Sequence, residues 1–556
     1  MSDALTDASF SDFFRALWDH EPFPWQAELA REVIEHDAWP GTLPLPTGTG
    51  KTAALDVALY HLARQAGDPA RRTAPCRIAL VVDRRIVVDG AYQRALAIRK
   101  RLWTSDNAVL RAASGRLIDL AGVGHDPLSV ARLRGGLPFE PDWVRTPSQP
   151  AMVISTIDQA GSRLLFRGYG LSPRMWPVHA GLLGRDTLFL IDEAHLSQAF
   201  WDTLDMLDRQ MRAAGEPPPA RVFMSATPVD GGANRLTDAD RANRNLARRL
   251  TASKPAKLDD APDWLHDGAG APDPAFAARM AGHAWTLSPL GDAKARRKLS
   301  PCPDAPEARL IGIVVNRVGV ARAVADRLRA WIADDDGTTR VFLRVGRGRP
   351  LDREAQTRIN EHLISGRTRS ADDPVTFVVA TQSVEVDADL DFDALVSQCS
   401  PLDSLRQRFG RLDRLGVRVT SPAIIVTPKD DQKKPDKAED PVYGGATAAT
   451  RQWLHERATD RVVDFGIDQL HLPDPGTLTD LIAPRVRAPL LFPAYVHKWR
   501  KTAPAPAADP NVGAFLHGPD RGQPDVSIVW RADLPESAGQ ADAEAILAPL
   551  PPTAPE

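Results

Sequence analysis

The stretch "LPTGTGKT" at residues 45–52 brings two glycines directly before a helical pattern, "KTAALDVALYHLA". Gly48 and Gly50 let successive backbone N–H groups turn inward without Cβ clashes, and the N-terminus of the following helix adds positive charge. Together these features predict a nest for phosphate groups. Lys51 can reach the β- and γ-phosphates of a nucleotide, and the Thr52 hydroxyl can ligate Mg²⁺.

This stretch departs from the strict phosphate-loop pattern, which has glycine at the position of Leu45. A glycine-rich turn before a helix, with no ligand, is the alternative interpretation. In the phosphate-loop interpretation, the backbone N–H groups and the side chains of the loop both take part in binding the nucleotide. We therefore assign nucleotide binding to Thr47, Gly48, Thr49, Gly50, Lys51 and Thr52.

A second stretch, "LFLIDEAHL" at residues 188–196, places two carboxylates behind four apolar residues. The apolar run predicts a buried strand, and ligands of open α/β sheets bind at the carboxyl ends of such strands. Asp192 is placed there to hold Mg²⁺ through its water shell, and Glu193 to orient or deprotonate an attacking water. The alternative is an acidic strand end that caps the next helix, which the phosphate loop upstream disfavours.

A third stretch, "PLDSLRQRFGRLDRLG" at residues 401–416, carries four closely spaced arginines, Arg406, Arg408, Arg411 and Arg414. The spacing of Arg411 and Arg414 puts them near one helical face. A guanidinium group can neutralise the charge that phosphoryl transfer builds on the γ-phosphate oxygens. The stretch predicts a second domain that reaches the phosphates, and a basic helix lying on phosphates or solvent is the alternative.

Two weaker signals fit the same scheme. "PFPWQAEL" at residues 22–29 offers an aromatic platform and Gln26, whose amide can both donate to and accept from an adenine edge. "MSATP" at residues 224–228 ends a strand with Ser225 and Thr227, two hydroxyls that could couple the acidic strand end to the partner domain. Taken alone, the first stretch is helix-start packing and the second is a strand end.

Short apolar runs alternate with helical patterns along the chain, which predicts βαβ units and parallel sheets. A first set of strands is predicted at residues 77–82, 151–156, 187–192 and 221–226, and a second at 309–316, 340–345, 375–381, 394–399 and 423–428. A helix within the second set has one apolar face, formed by Val320, Val324, Leu328, Trp331 and Ile332, and Gly337 can close it.

The fold class is therefore α/β, with two tandem domains on parallel sheets and a C-terminal accessory region. We place the first domain at residues 1–232 and a polar linker or insertion at 233–307. The second domain follows at 308–430, and a proline-rich accessory region at 431–556.

The composition excludes several classes of protein. A formal net charge of -3 over 556 residues argues against a uniformly basic DNA-coating protein, but not against a locally basic groove. The cysteines Cys76, Cys302 and Cys399 have no CxxC spacing, so neither a zinc site nor a disulfide framework is predicted. The N-terminus lacks a signal peptide, and no apolar run is long enough to span a bilayer. We expect a cytoplasmic protein.

The motifs "FPWQ", "TGTGKT", "DEAH", "SAT", "ATQSVEVDADLD" and "QRFGRLDR" resemble, in identity and order, the motif series of superfamily 2 helicases across residues 23–414. Leu45 is a usual departure in that group. The resemblance implies two RecA-like domains of the P-loop NTPase class, with ATP and Mg²⁺ between them. It also implies a catalytic set, formed by Lys51, Asp192, Glu193, Gln407, Arg411 and Arg414.

The same resemblance implies single-stranded nucleic acid across the tops of both domains. Contacts of this kind would be to the backbone and independent of base sequence. We expect them from Arg84, Arg85, Thr156, Thr381 and Gln382. Asp389 is expected to contact the nucleotide, although as an isolated piece its stretch, residues 378–393, would be an acidic loop.

A narrower likeness is carried by "STIDQAGSRLLFRGYG" at residues 155–170, by "RQRFGRLDR" and by "DPVYG" at residues 440–444. These stretches are similar to the helicase part of the CRISPR-associated helicase-nuclease, the type I interference effector recruited by Cascade. The later "APLLFPAYVHKW" and "VSIVWRADL" are most similar to its type I-G (formerly I-U) branch. The resemblance implies 3′ to 5′ translocation on the displaced DNA strand of an R-loop, with the Cascade guide complex as partner.

The nuclease of that family needs several His and Asp ligands around paired metal ions. The His-Asp dipeptides that begin at His36, His125 and His266 lie in turn-rich surroundings, without an ordered set of further histidines. We predict no nuclease in this chain and expect a separate or downstream nuclease domain to act with it. An RNA helicase, or another superfamily 2 ATPase outside CRISPR, is the alternative function.

Overall fold

The structure is a computed structural model. It describes residues 4–83, 85–122, 124–135, 142–193, 197–225, 235–266, 270–333, 338–346, 369–385, 390–434, 440, 442–502 and 511–519. Two mainly parallel β-sheets form its centre, and each has a buried apolar cluster on both faces. This confirms the predicted α/β class with two tandem domains.

The first sheet consists of β1 Thr42–Pro44, β2 Arg77–Val82, β3 Ser129–Leu133, β4 Ala151–Thr156, β5 Thr187–Asp192 and β6 Ala220–Ser225. The strands are parallel, in the order β1-β6-β5-β2-β4-β3. Successive side chains alternate between two cores, so that Leu80 enters one and Val81 the other. Because all six strands run the same way, the ends of β2, β4, β5 and β6 share one edge with the phosphate loop.

The helices of the first domain are α1 Ala4–Asp7, α2 Phe10–Trp18, α3 Pro24–His36, α4 Ala54–Gln65, α5 Arg85–Thr104, α6 Ala108–Ala121, α7 Asp142–Arg145, α8 Ile157–Leu164, α9 Trp176–Gly184 and α10 Gln198–Ala213. A short 3-10 helix, Lys51–Ala53, joins the phosphate loop to α4. Residues Ala54 to Ala63 of α4 are all buried. The phosphate loop therefore leads into a helix that is buried over most of its length.

The second sheet consists of β7 Pro255–Asp260, β8 Leu310–Val314, β9 Thr339–Arg344, β10 Val375–Ala380, β11 Ala394–Gln398, β12 Ala423–Thr427 and β13 Val462–Asp464. Its order is β13-β7-β12-β11-β8-β10-β9, and among the strand pairs that the structure describes in this sheet only β13–β7 is antiparallel. The later helices are α11 Asp238–Ala242, α12 Arg244–Thr251, α13 Pro274–Leu287, α14 Ala293–Leu299, α15 Val318–Trp331, α16 Leu402–Phe409, α17 Ala446–Arg457, α18 Pro475–Leu481, α19 Pro493–Trp499 and α20 Gly513–His517.

Of the two alternatives predicted for residues 233–307, a linker or an insertion, the linker is wrong. This segment contributes β7 to the second sheet, beside β12, and α13 to its core, where Phe276 and Met280 are fully buried. In β7, Ala256 and Leu258 point inward while Lys257 is only half-buried. Because buried and half-buried side chains alternate in this strand, it has no continuous apolar run, and its sequence resembles that of a polar linker.

The expected face of α15 is partly correct. Val320, Val324 and Leu328 are buried, as predicted. Trp331, the last residue of the helix, is 42% exposed. The proposed closing residue, Gly337, lies outside the described residues.

The accessory region, predicted from residue 431 onward, is not a separate unit. Its β13 joins the second sheet, and α17 and α18 pack on that domain. The chain then returns to the first domain through a return segment, defined as residues 485–502 and 511–519. Five buried side chains of this segment enter the first domain's core, namely Leu491, Trp499, Val512, Phe515 and Leu516. The return segment therefore ties the two domains together.

Among the helices that the structure describes, none is long and apolar enough to cross a membrane.

Candidate nucleotide-binding site

The phosphate loop is held open by two glycines in the left-handed region. The φ angle is 85° at Gly48 and 80° at Gly50, and such angles favour glycine. Thr49 is fully buried; its hydroxyl donates to the carbonyl of Pro46 at 2.8 Å, and its carbonyl accepts from the Trp25 indole at 3.0 Å. The loop is thus shaped before any ligand binds.

Gln26 braces this loop from α3. Its side-chain oxygen accepts from the backbone N–H of Phe23 at 2.9 Å, and its amide donates to the carbonyl of Gly50 at 3.2 Å. The residue is buried. Both ends of the amide are therefore engaged by the chain itself, whereas the sequence predicts that they meet an adenine edge. Contact with adenine stays a prediction and would require these bonds to open.

Lys51 and the two acids at the end of β5 form a compact charged cluster. The Lys51 Nζ lies 2.7 Å from Glu193 Oε1 and 3.8 Å from Asp192 Oδ1, with Lys51 only 9% exposed. Glu193 has a φ of 48°, a left-handed conformation that is uncommon outside glycine and is found at functional sites. The structure brings these three residues together, and their roles in binding and hydrolysis stay predictions.

The charges of this cluster depend on one another. Burial acts to lower the pKa of Lys51, but the carboxylates of Glu193 and Asp192 outweigh it, and the pKa is raised. Burial raises the pKa of Asp192; Lys51 opposes this rise and Glu193 adds to it. The ammonium group therefore stays protonated and keeps at least one acid ionised beside it.

The second domain closes over the loop through α16 and the residues after it. The Gln407 amide lies 3.5 Å from Glu193 Oε2. A Cβ added at Gly410 would lie 2.9 Å from Thr47 Cγ2, and one added at Gly48 would lie 3.4 Å from the Arg414 carbonyl oxygen. The two domains thus meet at the phosphate loop.

Arg411 and Arg414 lie on the side of the second domain that faces the loop. The positive charge of Arg411 acts on both Lys51 and Asp192, where it opposes the rise in pKa that the other contributions cause. Its guanidinium is oriented by the carbonyls of Val384 and Glu385, at 3.3 and 2.8 Å. The backbone N–H of Arg414 donates to Asp391 at 2.7 Å. Both arginines therefore belong to the second-domain wall of the cleft, across from the phosphate loop that carries Lys51.

The other two arginines of the stretch differ in environment. Arg408 is fully buried; it donates to Glu385 at 2.9 Å, to Asn316 at 2.8 Å and to the Ser397 hydroxyl at 3.0 Å. It holds the second domain together and does not face the phosphates. Burial lowers the pKa of Arg406 to about 10, and the charge of Glu193 opposes that change. Arg406 therefore belongs to the interdomain cluster.

Of the five residues expected to contact nucleic acid, three have described side chains, namely Thr156, Thr381 and Gln382. Thr156 at the end of β4 caps α8 by accepting from the Gln159 N–H at 3.4 Å, and it is almost completely buried. Thr381 is buried at the end of β10, and the Gln382 amide donates to Tyr443 Oη at 2.8 Å. Arg84, Asp389 and the side chain of Arg85 lie outside the described residues.

The two hydroxyl residues expected to couple the domains are likewise only partly described. Ser225 is buried at the end of β6, where its carbonyl accepts from the N–H of Leu45 at 3.1 Å. This bond joins the strand end to the start of the phosphate loop. Thr227 lies outside the described residues.

Sequence reasoning missed the contribution of the segment that follows the first domain. Asp240, fully buried near the start of α11, accepts from the Trp25 N–H at 2.8 Å. Arg249 on α12 donates to the carbonyl of Gly48 and lies over the Phe23 ring. The only available signal was the capping box of Thr237 and Asp240, and that identifies a helix start rather than a site.

Thr52 and Asp192 provide a donor set that fits Mg²⁺. A hydroxyl and a carboxylate oxygen suit a hard cation, and both residues are partly accessible beside the loop. Among the described residues, no group of three or more His, Cys, Asp or Glu side chains could hold a metal ion. A Mg²⁺ ion here would therefore depend on nucleotide oxygens and water for its other ligands.

Comparison with protein families gives two matches. Residues 19–230 match the family described as type III restriction enzyme, res subunit. Residues 307–416 match the family described as CRISPR-associated nuclease/helicase Cas3, C-terminal. No curated protein matches the chain.

Solved structures of T. fusca Cas3 share the fold. The structure with AMPPNP has a TM-score of 0.55 and 20% identity, covering 85% of this chain and 53% of that one. A second crystal structure of T. fusca Cas3 has a TM-score of 0.54 and 20% identity, covering 86% of this chain and 53% of that one. This chain thus spans about half the length of those proteins. Residues 307–416 are thus similar to the C-terminal part of a CRISPR-associated nuclease/helicase and residues 19–230 to the res subunit of a type III restriction enzyme, while the solved structures show a shared fold.

Proposed function

We propose that the chain is an ATP-dependent translocase and helicase on single-stranded DNA. In this proposal it acts in type I CRISPR interference, where it unwinds target DNA after recruitment to the R-loop made by a Cascade guide complex. The observation that carries the ATPase part is the Glu193 carboxylate, which contacts Lys51 of the first domain and Gln407 of the second. The group proposed to act on water thus touches both domains.

The cluster explains how nucleotide binding would start hydrolysis. Without nucleotide, the ammonium of Lys51 neutralises Glu193. A triphosphate carries more negative charge than one carboxylate, so it would draw Lys51 to its β- and γ-oxygens. Glu193 would then be released to orient and deprotonate the attacking water. Charge on the γ-phosphate would be met by Arg411, with Arg414 beside it.

Thr52 and Asp192 are the residues that would hold Mg²⁺, and the ion would neutralise negative charge on the phosphates. Asp192 would need to be ionised for this role. Burial raises the pKa of Asp192 here, and Lys51 and Arg411 oppose that rise.

The proposed nucleic-acid contacts are supported by the position of the residues, which lie at the carboxyl ends of strands in both sheets. Thr156 ends β4 of the first sheet, and Thr381 and Gln382 follow β10 of the second. In each domain these are carboxyl ends of parallel strands, where open α/β sheets bind ligands. With Arg84 and Arg85 they would contact the backbone of a single strand without reading bases.

The first experiment compares ATP hydrolysis by the full chain with no nucleic acid, with single-stranded DNA and with single-stranded RNA. The proposal expects DNA to stimulate hydrolysis at least several-fold more than RNA, and expects a DNA duplex with a 3′ tail to be unwound. Lys51→Ala serves as the inactive control. Preferential stimulation by RNA would support the alternative, an RNA helicase or other superfamily 2 ATPase outside CRISPR.

A second experiment tests the Cascade part separately. The full chain would be mixed with a type I-G guide complex bound to target DNA, and with the same complex lacking target. Binding only to the target-bound complex is expected. Equal binding to both complexes, or to neither, would remove the CRISPR assignment while leaving the helicase assignment in place.

A further inference from the structure

Arg249 occupies a junction at the edge of the phosphate loop. Its Nη1 donates to the carbonyl of Gly48, and its guanidinium carbon lies 5.2 Å from the centre of the Phe23 ring. Leu246 and Leu250, on the same helix α12, are buried in the core of the first domain. The helix is therefore fixed to the first domain, with Arg249 directed at the loop.

The second domain touches α12 at the same residue. Gly416 follows the arginine stretch and has a φ of 64°. A Cβ added there would lie 2.1 Å from the Arg248 carbonyl oxygen and 2.9 Å from the Arg249 backbone nitrogen. Burial and the nearby charge of Arg414 lower the pKa of Arg249. The backbone of α12 thus packs against the segment that carries Arg411 and Arg414.

The Phe23 ring borders the phosphate loop as well. A Cβ added at Gly50 would lie 3.5 Å from Phe23 Cε2. A nucleotide with its phosphates in the loop would have its base near this ring. A base between Phe23 and a guanidinium would need about 7 Å, two layers of about 3.5 Å each. The observed 5.2 Å leaves no room for it.

We propose that Arg249 is a positioning residue that competes with the purine base of ATP for the Phe23 ring. Through α12, this competition couples binding of the base to the position of the second domain. The proposal rests on the proposed function, because it requires ATP in the loop. When the base displaces the guanidinium, α12 shifts against Gly416, and the arginine stretch moves relative to the phosphates. Without nucleotide, Arg249 keeps α12 in the position seen here.

The test uses the full chain with Arg249→Ala and, as matched control, Arg248→Ala, the exposed neighbour on the same helix. Calorimetry measures the affinity for Mg-ADP and for inorganic triphosphate, which has no base. We expect Arg249→Ala to bind ADP about two- to fivefold more tightly, since a cation–π competitor is removed, with no such gain for triphosphate. Arg249→Lys keeps the charge but loses the planar group, and should show a smaller gain.

A second readout is the ratio of ATP hydrolysis rates with and without single-stranded DNA. We expect Arg249→Ala to lose most of this stimulation, while Arg248→Ala retains it. Weaker ADP binding by Arg249→Ala, or values equal to those of the control in both measurements, would overturn the proposal. If Arg249→Ala fails to fold, Arg249→Lys decides on the same criteria. Failure of the wild-type chain to bind any nucleotide would instead refute the proposed function itself.

Discussion

The side-chain amide of Gln407 in the second domain lies 3.5 Å from the carboxylate of Glu193 in the first. The other oxygen of that carboxylate accepts from Lys51 at 2.7 Å. One acid therefore contacts both walls of the cleft in which we place the nucleotide. Hydrolysis should depend on all three groups, and nucleotide binding mainly on Lys51.

Replacing Glu193 with glutamine should separate binding from hydrolysis. The amide cannot take a proton from water, so kcat for ATP hydrolysis should fall by about 10²- to 10⁴-fold. ATP affinity should hold or improve, because a neutral amide retains Lys51 less strongly than a carboxylate. Steady-state kinetics and calorimetry measure the two effects, with the exposed Glu456→Gln as control. A kcat within threefold of wild type would exclude Glu193 as the residue that acts on water.

Arg411→Ala should lower kcat by about 10³-fold or more, since a guanidinium group on the γ-phosphate contributes that much in phosphoryl transfer. The melting temperature should fall less than for Arg408→Ala, because Arg411 is bound by two neutral carbonyl oxygens and its removal leaves no buried carboxylate without its cation. Single-turnover hydrolysis and calorimetric melting of the same variant provide the check. A large drop in the melting temperature, with an unchanged hydrolysis rate of the folded variant, would assign Arg411 a structural role alone.

Arg408→Ala should have the opposite profile. This arginine is buried against Glu385 at 2.9 Å, and its removal would leave an uncompensated buried carboxylate at a cost of about 3–5 kcal/mol. Denaturant unfolding should show the loss, and the double variant Arg408→Met with Glu385→Leu should recover much of it. A fully stable Arg408→Ala would contradict the structural role assigned here.

The return segment should loosen as the pH rises. The carboxylate of Asp158, 2.7 Å from His517 Nε2, raises the pKa of His517. A raised folded-state pKa stabilises the contact below the ordinary value of about 6.5 and loses that effect as the pH rises through the raised pKa. Hydrogen exchange of residues 511–519, corrected for intrinsic rates, should therefore quicken from pH 5.5 to pH 8. Asp158→Asn should remove this dependence; the same dependence in the variant would refute it.

Trp499 should contribute to the first domain although it lies far along the chain. It is almost fully buried there, and Arg167 donates to its carbonyl at 2.9 Å. Trp499→Ala should cost about 3–5 kcal/mol, measured by denaturant unfolding. Tyr495→Ala, at a position that is 44% exposed, should change stability by about 0.5 kcal/mol or less. Equal effects of the two substitutions would mean that the return segment does not complete the core.

The strands and the acidic cluster could be predicted from local sequence. A parallel strand buried on both faces gives a continuous apolar run, as in "TLFLI" before Asp192. The nine strands predicted from such runs are all present, while β1, β3, β7 and β13 were missed. These four are short or carry polar residues, so they lack the continuous run.

Other features depend on contacts between distant segments and had no local signal. Arg408 and Arg411 are three residues apart and chemically identical, yet one is buried against Glu385 and the other acts on Lys51. Nothing in the stretch distinguishes them. The sequence likewise predicts that Gln26 contacts adenine. In the structure its side chain bonds to Phe23 and Gly50, and these contacts depend on the packing of α3 against the loop.

The central claim is that a nucleotide binds between two domains, with Lys51 on one side and Arg411 on the other. The most direct measurement is a structure of the full chain with Mg²⁺ and a non-hydrolysable ATP analogue. The claim predicts Lys51 Nζ and an Arg411 guanidinium nitrogen both within about 3.2 Å of γ-phosphate oxygens, and Lys51 no longer bound to Glu193. A γ-phosphate held by the first domain alone, with Arg411 still on the Val384 and Glu385 carbonyls and out of reach, would contradict it.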